Sequence, residues 1–245
     1  MRTKPQSVIA VIAGNSLLMC LSLFAGSAHA TTIAFEDFES GANGWLDRDS
    51  GSPTVNATGG HDGGAYISFI GDIATNTASF GSALVEFRCQ TAPCAANNSF
   101  DGDWIAQDVV SLSYWFKHSA AVSLQAYMRL STNWSLSGVS GAASAITLGD
   151  VLPNTWTQVV VDIEPSQFDP SFGGGNYNDI MSNIYKIQPG IFFDFGEVYN
   201  ETGVTFALDD VRLTAVPVPA AVWLFGSGLA LLFGYKGRRR IRAAT

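Results

Sequence analysis

Between residues 31 and 215 the chain is a succession of short apolar runs broken by Gly, Ser, Asn and Thr, the rhythm of antiparallel β structure. Leu112, Tyr114 and Phe116 alternate with Ser111, Ser113 and Trp115, with Trp115 making the second face partly apolar. Val122, Leu124, Ala126, Met128 and Leu130 alternate more cleanly with Ser123, Gln125, Tyr127 and Arg129. The predicted strands are Thr32–Phe38, Ala65–Gly71, Ala83–Arg88, Val110–His118, Val122–Leu130, Thr155–Ile163, Gly190–Phe195 and Thr205–Thr214. No convincing long amphipathic helix and no internal repeat accompanies them. Eight strands without helices predict an all-β fold, a single two-sheet β-sandwich of jelly-roll type over residues 31–215.

The last predicted strand breaks its own phase. Phe206 and Leu208 point inward, and so do Val211 and Leu213, but the two pairs are out of step by one residue. One extra residue at Asp209–Asp210 restores the alternation, which predicts a β-bulge there with both carboxylates near one point.

Two hydrophobic segments outside this region have different periodicity. Residues 1–30 form a signal peptide: Arg2 and Lys4, an apolar stretch from Val8 to Phe24, and an Ala28-His29-Ala30 cleavage site. Export by the Sec machinery is expected, and Cys20 leaves with the leader. At the other end, Val216-Pro217-Val218-Pro219 precedes an apolar run from Ala220 to Tyr235, which contains Ala221, Trp223, Leu224, Phe225, Gly226, Ser227, Gly228 and Leu229. Sixteen residues span roughly 24 Å as a helix, a marginal transmembrane anchor. Lys236, Arg238, Arg239, Arg240 and Arg242 form a basic stop that should stay cytoplasmic.

Residues 216–245 resemble the PEP-CTERM sorting signals of Gram-negative bacteria, in the variant V-P-x-P-A-A-x-W-L-F-G-S-G-L. The resemblance implies recognition of the proline motif by exosortase, a membrane-embedded cysteine protease, and transfer or release of the domain to the cell surface. Val218 stands where many members carry Glu, which leaves the processing enzyme open. An inner-membrane precursor and a mature form in the extracellular matrix, alongside exopolysaccharide, are what the resemblance implies. An unprocessed, membrane-anchored periplasmic domain is the simpler alternative.

Charge divides the chain in the same places. Residues 31–215 hold all 21 acidic residues and six basic ones (Arg48, Arg88, Lys117, Arg129, Lys186, Arg212), a net of −15. Such a surface repels nucleic acid and suits calcium, cationic surfaces or neutral glycans. Cys89 and Cys94 flank a four-residue gap with Pro93, which in an oxidising compartment predicts a local disulfide.

Phe35-Glu36-Asp37-Phe38-Glu39-Ser40-Gly41-Ala42-Asn43-Gly44-Trp45 and Phe206-Ala207-Leu208-Asp209-Asp210-Val211-Arg212-Leu213 resemble the first and last strands of galactose-binding-like and carbohydrate-binding-module jelly rolls. The resemblance implies that these strands are neighbours and hold a structural Ca²⁺ through Glu39 or Glu36 with Asp210 and Asp209. Carboxylates are suitable hard ligands, although acids at a sheet edge also discourage edge pairing. For a glycan, exposed rings are the natural platforms, and Trp104, Trp134 and Tyr177 lie in polar, loop-like contexts. Trp45 and Trp156 read as core. An enzyme is the less expected reading: no G-x-S-x-G surrounds a serine, and Gly173–Gly175 reads as a surface loop rather than a phosphate cradle. A polysaccharide-active enzyme would need two carboxylates about 5–9 Å apart, which a binding module does not.

Overall fold

The computed structural model describes residues 29–74, 84–89, 94, 99–132, 141–145, 148–173, 175–192 and 200–216. Ala28, Trp134 and the sorting signal from Pro217 onward lie outside the described residues. Thr31–Ala215 is one compact unit.

Its strands are β1 (Thr31–Glu36), β2 (Thr54–Asn56), β3 (Tyr66–Ala74), β4 (Leu84–Glu86), β5 (Val109–His118), β6 (Leu124–Thr132), β7 (Gly141–Ala145), β8 (Asp150–Val151), β9 (Thr157–Asp162), β10 (Asp169–Gly173), β11 (Ile184–Phe192) and β12 (Asn200–Ala215). They form two antiparallel six-stranded sheets. The first runs β2-β3-β12-β5-β9 with β1 also on β12, and the second β10-β7-β6-β11-β4 with β8 on β6. The fold is the β-sandwich that the alternation predicts. Leu112, Tyr114 and Phe116 from β5 and Leu124, Ala126, Met128 and Leu130 from β6 are buried where the two sheets meet. Each fully buried large side chain stabilises by about 1.5–3 kcal/mol relative to exposure.

β12 is the long central strand of the first sheet. It pairs with β5 through Phe206–Ala215, with β3 through Asn200–Leu208 and with β1 through Val211–Ala215. The first and last strands are therefore neighbours.

Four strands (β2, β7, β8, β10) fall where the sequence suggested none, and β11 starts at Ile184 rather than Gly190. Pro189 sits inside β11, a position that argues against a strand in sequence. The carbonyl of Pro189 accepts from Phe87 N at 2.9 Å, so its nitrogen faces the edge side of the sheet rather than β6. The missing N–H therefore costs one bond at the margin only. Gly173, expected in a surface loop, ends β10, and Gly175 and Asn176 lead into α1 (Tyr177–Met181), which Asn176 and Asp179 close with a reciprocal capping box.

Trp45 is core, as expected, with its Nε1 donating to the Cys94 carbonyl at 2.6 Å. Trp156 is not. It is half-buried on the outer side of the first sheet, its indole turned to the Gly59 carbonyl at 3.1 Å. Position 156 lies just before β9, out of step with the inward Val159 and Val161.

A side chain of the first sheet reaches across to the second. The buried Tyr114 Oη, on β5, donates to the Tyr127 carbonyl of β6 at 2.9 Å. Tyr114→Phe should therefore cost about 1–1.5 kcal/mol in urea unfolding with an unchanged m-value. Unchanged stability would show that this cross-sheet bond adds nothing.

Candidate functional site

Two groups of polar side chains stand out, one on each sheet. The first surrounds the bulge in β12. The pairing of β12 with β5 shifts register between Asp209 and Arg212, and Asp210 adopts φ +47°. The extra residue turns both carboxylates toward the 59–65 loop. Asp209 Oδ2 accepts from His61 N at 2.8 Å and lies 3.2 Å from His61 Nδ1, while Asp210 Oδ2 lies 3.8 Å from His61 Nε2. Asp210 Oδ1 also accepts from Arg212 Nε at 2.7 Å. The imidazole stacks on Trp115, with ring centroids 4.4 Å apart. Burial pushes the Asp209 carboxyl up, against the opposing contacts from His61.

The loop itself bends around carboxylates. Glu39 Oε1 accepts from Ala65 N at 2.7 Å and Asp62 Oδ1 from Gly64 N at 2.8 Å. A Cβ at Gly64 would collide with Glu39, and one at Gly60 with Asp209. Among the described residues, His61, Asp62 and Asp209 bring one ligand atom each to within 4.8 Å of one another. Of the sequence-derived calcium positions, Asp209 belongs to this group and Glu39 borders it across Gly64. Asp210 is engaged by Arg212 and faces the far side of the imidazole. Glu36 is fully buried and accepts from Phe38 N at 2.7 Å and from Asn43 Nδ2 at 3.0 and 2.9 Å. It closes its own turn, and burial raises its pKa against those bonds.

The second group covers the outer face of the second sheet. Alternation sends Val85, Phe87, Ile187, Ile191, Met128 and Leu130 inward. Their neighbours Glu86, Arg88, Lys186, Gln188, Tyr127 and Arg129 therefore point outward. Gln188 pairs with Arg129, Arg129 with Ser144, and Ser144 with Asp169, so one polar row crosses four strands. The Cys89–Ile187 bridge puts Arg88 next to its end. Glu86 (4% exposed), Gln188 (3%) and Tyr127 (3%) form the floor, with Arg88, Arg129 and Lys186 half-buried above it. Glu86 Oε1 accepts from Arg88 Nε at 2.9 Å and from Gln188 Nε2. Glu86 Oε2 is buried and has no hydrogen-bond partner. Tyr127 Oη lies 3.1 Å from Ser144 Oγ, and the Tyr127 ring stacks on Phe192 at 6.4 Å. Burial raises the Tyr127 phenol, opposed by Ser144 and the charge of Arg129.

Two of the rings proposed from sequence as sugar platforms, Trp104 and Tyr177, do not lie here, and Trp134 is outside the described residues. Trp104 is 1% exposed, with Nε1 donating to the Phe100 carbonyl at 2.9 Å, so no sugar can stack on it. Its polar neighbours Asp101 and Asp103 suggested a surface loop, but the indole turns inward. Tyr177 is half-buried at the start of α1 against Phe168. The polar face had one sequence signal, the outward set Gln125, Tyr127 and Arg129 on β6. An aromatic group on the first sheet also went unanticipated: Lys117 Nζ sits 4.5 Å from the Trp156 ring centroid and 5.3 Å from that of Tyr66. Cys89 and Cys94 are joined in a disulfide.

No protein-family model and no curated protein sequence matches the chain. Solved structures similar to it include the tandem CBM22-1–CBM22-2 domain from Paenibacillus barcinonensis Xyn10C (TM-score 0.49, 14% identity, 76% of this chain and 50% of that one). The family 11 carbohydrate-binding module of a Clostridium thermocellum cellulase has a TM-score of 0.44 and 17% identity, over 78% of this chain and 97% of that one. An agarase has a TM-score of 0.45 and 12% identity over 77% of this chain, which spans 25% of the agarase chain. At such identity and overlap the likeness extends to no ligand and no residue role.

Proposed function

We propose that the chain is an exported, surface-sorted protein whose β-sandwich binds a glycan without catalysis, through the outer face of the second sheet. The observation that carries this reading is the buried Glu86, whose Oε2 has no partner, beside Gln188 and Tyr127 on a half-buried polar face. A desolvated acceptor without a donor is costly, and a sugar hydroxyl supplies the missing donor. The half-buried Phe192 ring, stacked on the buried Tyr127 beside it, offers apolar surface to the C–H faces of a sugar ring.

Binding is favoured over hydrolysis by the spread of the acids. Among the described residues, this face carries Glu86 on β4, Asp150 on β8 and Asp169 on β10. Three strand spacings separate Glu86 from Asp150, about 14 Å, and Asp169 is further. A hydrolytic pair needs about 5–9.5 Å.

The test is retention of the detergent-solubilised full-length protein in affinity gels containing soluble polysaccharides. Gln188→Ala should lower the affinity for whichever glycan binds by about tenfold or more, with an unchanged circular dichroism spectrum. Loss of retention in Trp156→Ala but not in Gln188→Ala would move binding to the first sheet.

Sorting rests on the tail motif Val216-Pro217-Val218-Pro219 followed by the apolar run and the arginines. Expressed with an exosortase, the protein should yield a mature species ending near Val216–Pro219 by intact mass. The same unprocessed, inner-membrane product with and without the enzyme would leave an anchored periplasmic domain instead.

Calcium at the 59–65 loop is supported by the oxygens of Asp62 and Asp209, with Glu39 beside them. These carboxylates fit a hard cation, which would be held between the loop and the bulge and neutralise them. Millimolar Ca²⁺ should raise the melting temperature over that in chelator, and Asp209→Asn should remove most of the difference. Equal melting temperatures would count against calcium.

A further inference from the structure

The end of a sheet is where a β-sandwich is open to another chain, because the last strand carries backbone N–H and C=O groups with no neighbour. Most of the ends here are blunted. β2 and β4 are three residues long, with Pro53 directly before β2. β10 contains Pro170 and shifts register between Asp169 and Phe172, and β1 shifts between Thr32 and Ala34. β9 has none of these devices. Its six residues, Thr157 to Asp162, include no proline and no cation, and they pair with β5 without a shift. Val160, at the middle, is 52% exposed. The ladder fixes which groups are free. Ile163 N donates to the Val110 carbonyl at 2.9 Å, one step beyond the Asp162–Ser111 pair, so Thr157, Val159 and Val161 share its phase and bond to β5. Gln158, Val160 and Asp162 therefore turn their backbone groups to the open edge. Among the described residues, the one backbone bond on that side runs from Glu164 N to the Asp162 carbonyl at 3.0 Å, where the chain turns away.

The strand is complementary to itself. A second β9 rotated about Val160 sets Val160 against the partner's Val160 and Gln158 against the partner's Asp162. The central pair is apolar and each flanking pair sets an amide against a carboxylate, so no like charges oppose one another. A parallel copy in the same register would instead set Asp162 beside the partner's Asp162. We propose that β9 pairs antiparallel with β9 of a second copy of this chain, about a two-fold axis at Val160, and joins the two first sheets into one. The interface is isologous and closes at two copies. Its axis stands normal to the joined sheet, so both second sheets lie on the same side and their outer faces look the same way. Two binding faces presented together would engage one polymer chain more tightly than either alone. That consequence rests on the glycan-binding reading; the pairing itself does not.

The test is sedimentation of the full-length protein in density-matched detergent, at moderate salt to screen the net charge of −15 on residues 31–215. A dimer is expected. Val160→Lys sets like charges opposite each other at its centre and should raise the Kd about tenfold or more. Ile70→Lys, at a more exposed position on the outer side of the same sheet, should leave it unchanged. Oxidation of Val160→Cys should give an intermolecular disulfide between the two copies of position 160, assigned by mass spectrometry, and Ile70→Cys should give none. Mixed Gln158→Cys and Asp162→Cys proteins should form the disulfide between unlike positions in preference to either like pair. A monomer at every concentration overturns the proposal. A dimer that Val160→Lys leaves intact is held elsewhere, the apolar run 220–235 included, and overturns the assignment to β9. Disulfides between like positions overturn the antiparallel register. None of these outcomes depends on retention in polysaccharide gels, so failure of the pairing and failure of the glycan-binding reading are told apart.

Discussion

The phase change in β12 is the constraint on which most of the first sheet depends. A strand of sixteen residues that pairs with β1, β3 and β5 has no freedom to roll, so its inward set must match the core along its whole length. Without the extra residue at Asp209–Asp210, either Phe206 and Leu208 or Val211 and Leu213 would face solvent. At about 1.5–3 kcal/mol for each large side chain, that outweighs the cost of a residue at positive φ, about 1–3 kcal/mol. The bulge wins, and two carboxylates emerge where the ladder is interrupted. The 59–65 loop then folds over them, with Gly60 and Gly64 leaving the room a Cβ would fill. His61, placed by Asp209 on one side and Trp115 on the other, links that loop to the outer side of β5.

The second sheet solves a different problem. Its inner side is as apolar as that of the first, but its outer side is polar and in part desolvated. Buried polar groups are tolerated when paired, and here most are: Tyr127 with Ser144, Gln188 with Glu86, Glu86 with Arg88. What is left over is one carboxylate oxygen, Glu86 Oε2. A surface built only for stability would have matched it with a donor.

How far the sequence disclosed this follows from which residues carry each feature. β5 and β6 were legible because large apolar residues alternate with polar ones over a full strand, and the bulge was legible because that alternation slips at one place. β7, reading Gly-Ala-Ala-Ser-Ala, was not, since alanine and glycine have little strand preference and gain their place from pairing with β6. β11 was cut short by Pro189, whose cost falls on the edge side of the sheet. Trp104 misled because its neighbours are polar while the indole itself is the buried part. The polar face was hidden for a geometric reason. Glu86, Tyr127, Arg129, Ser144 and Gln188 come from four strands spread over more than a hundred residues, and no local pattern announces that they share a surface.

Thr31 pairs with Ala215 as the outermost register of β1 and β12. A polypeptide that enters the sandwich at one of these residues and leaves at the other does so from adjacent points on a single sheet. Removal of whatever precedes and follows would break no strand.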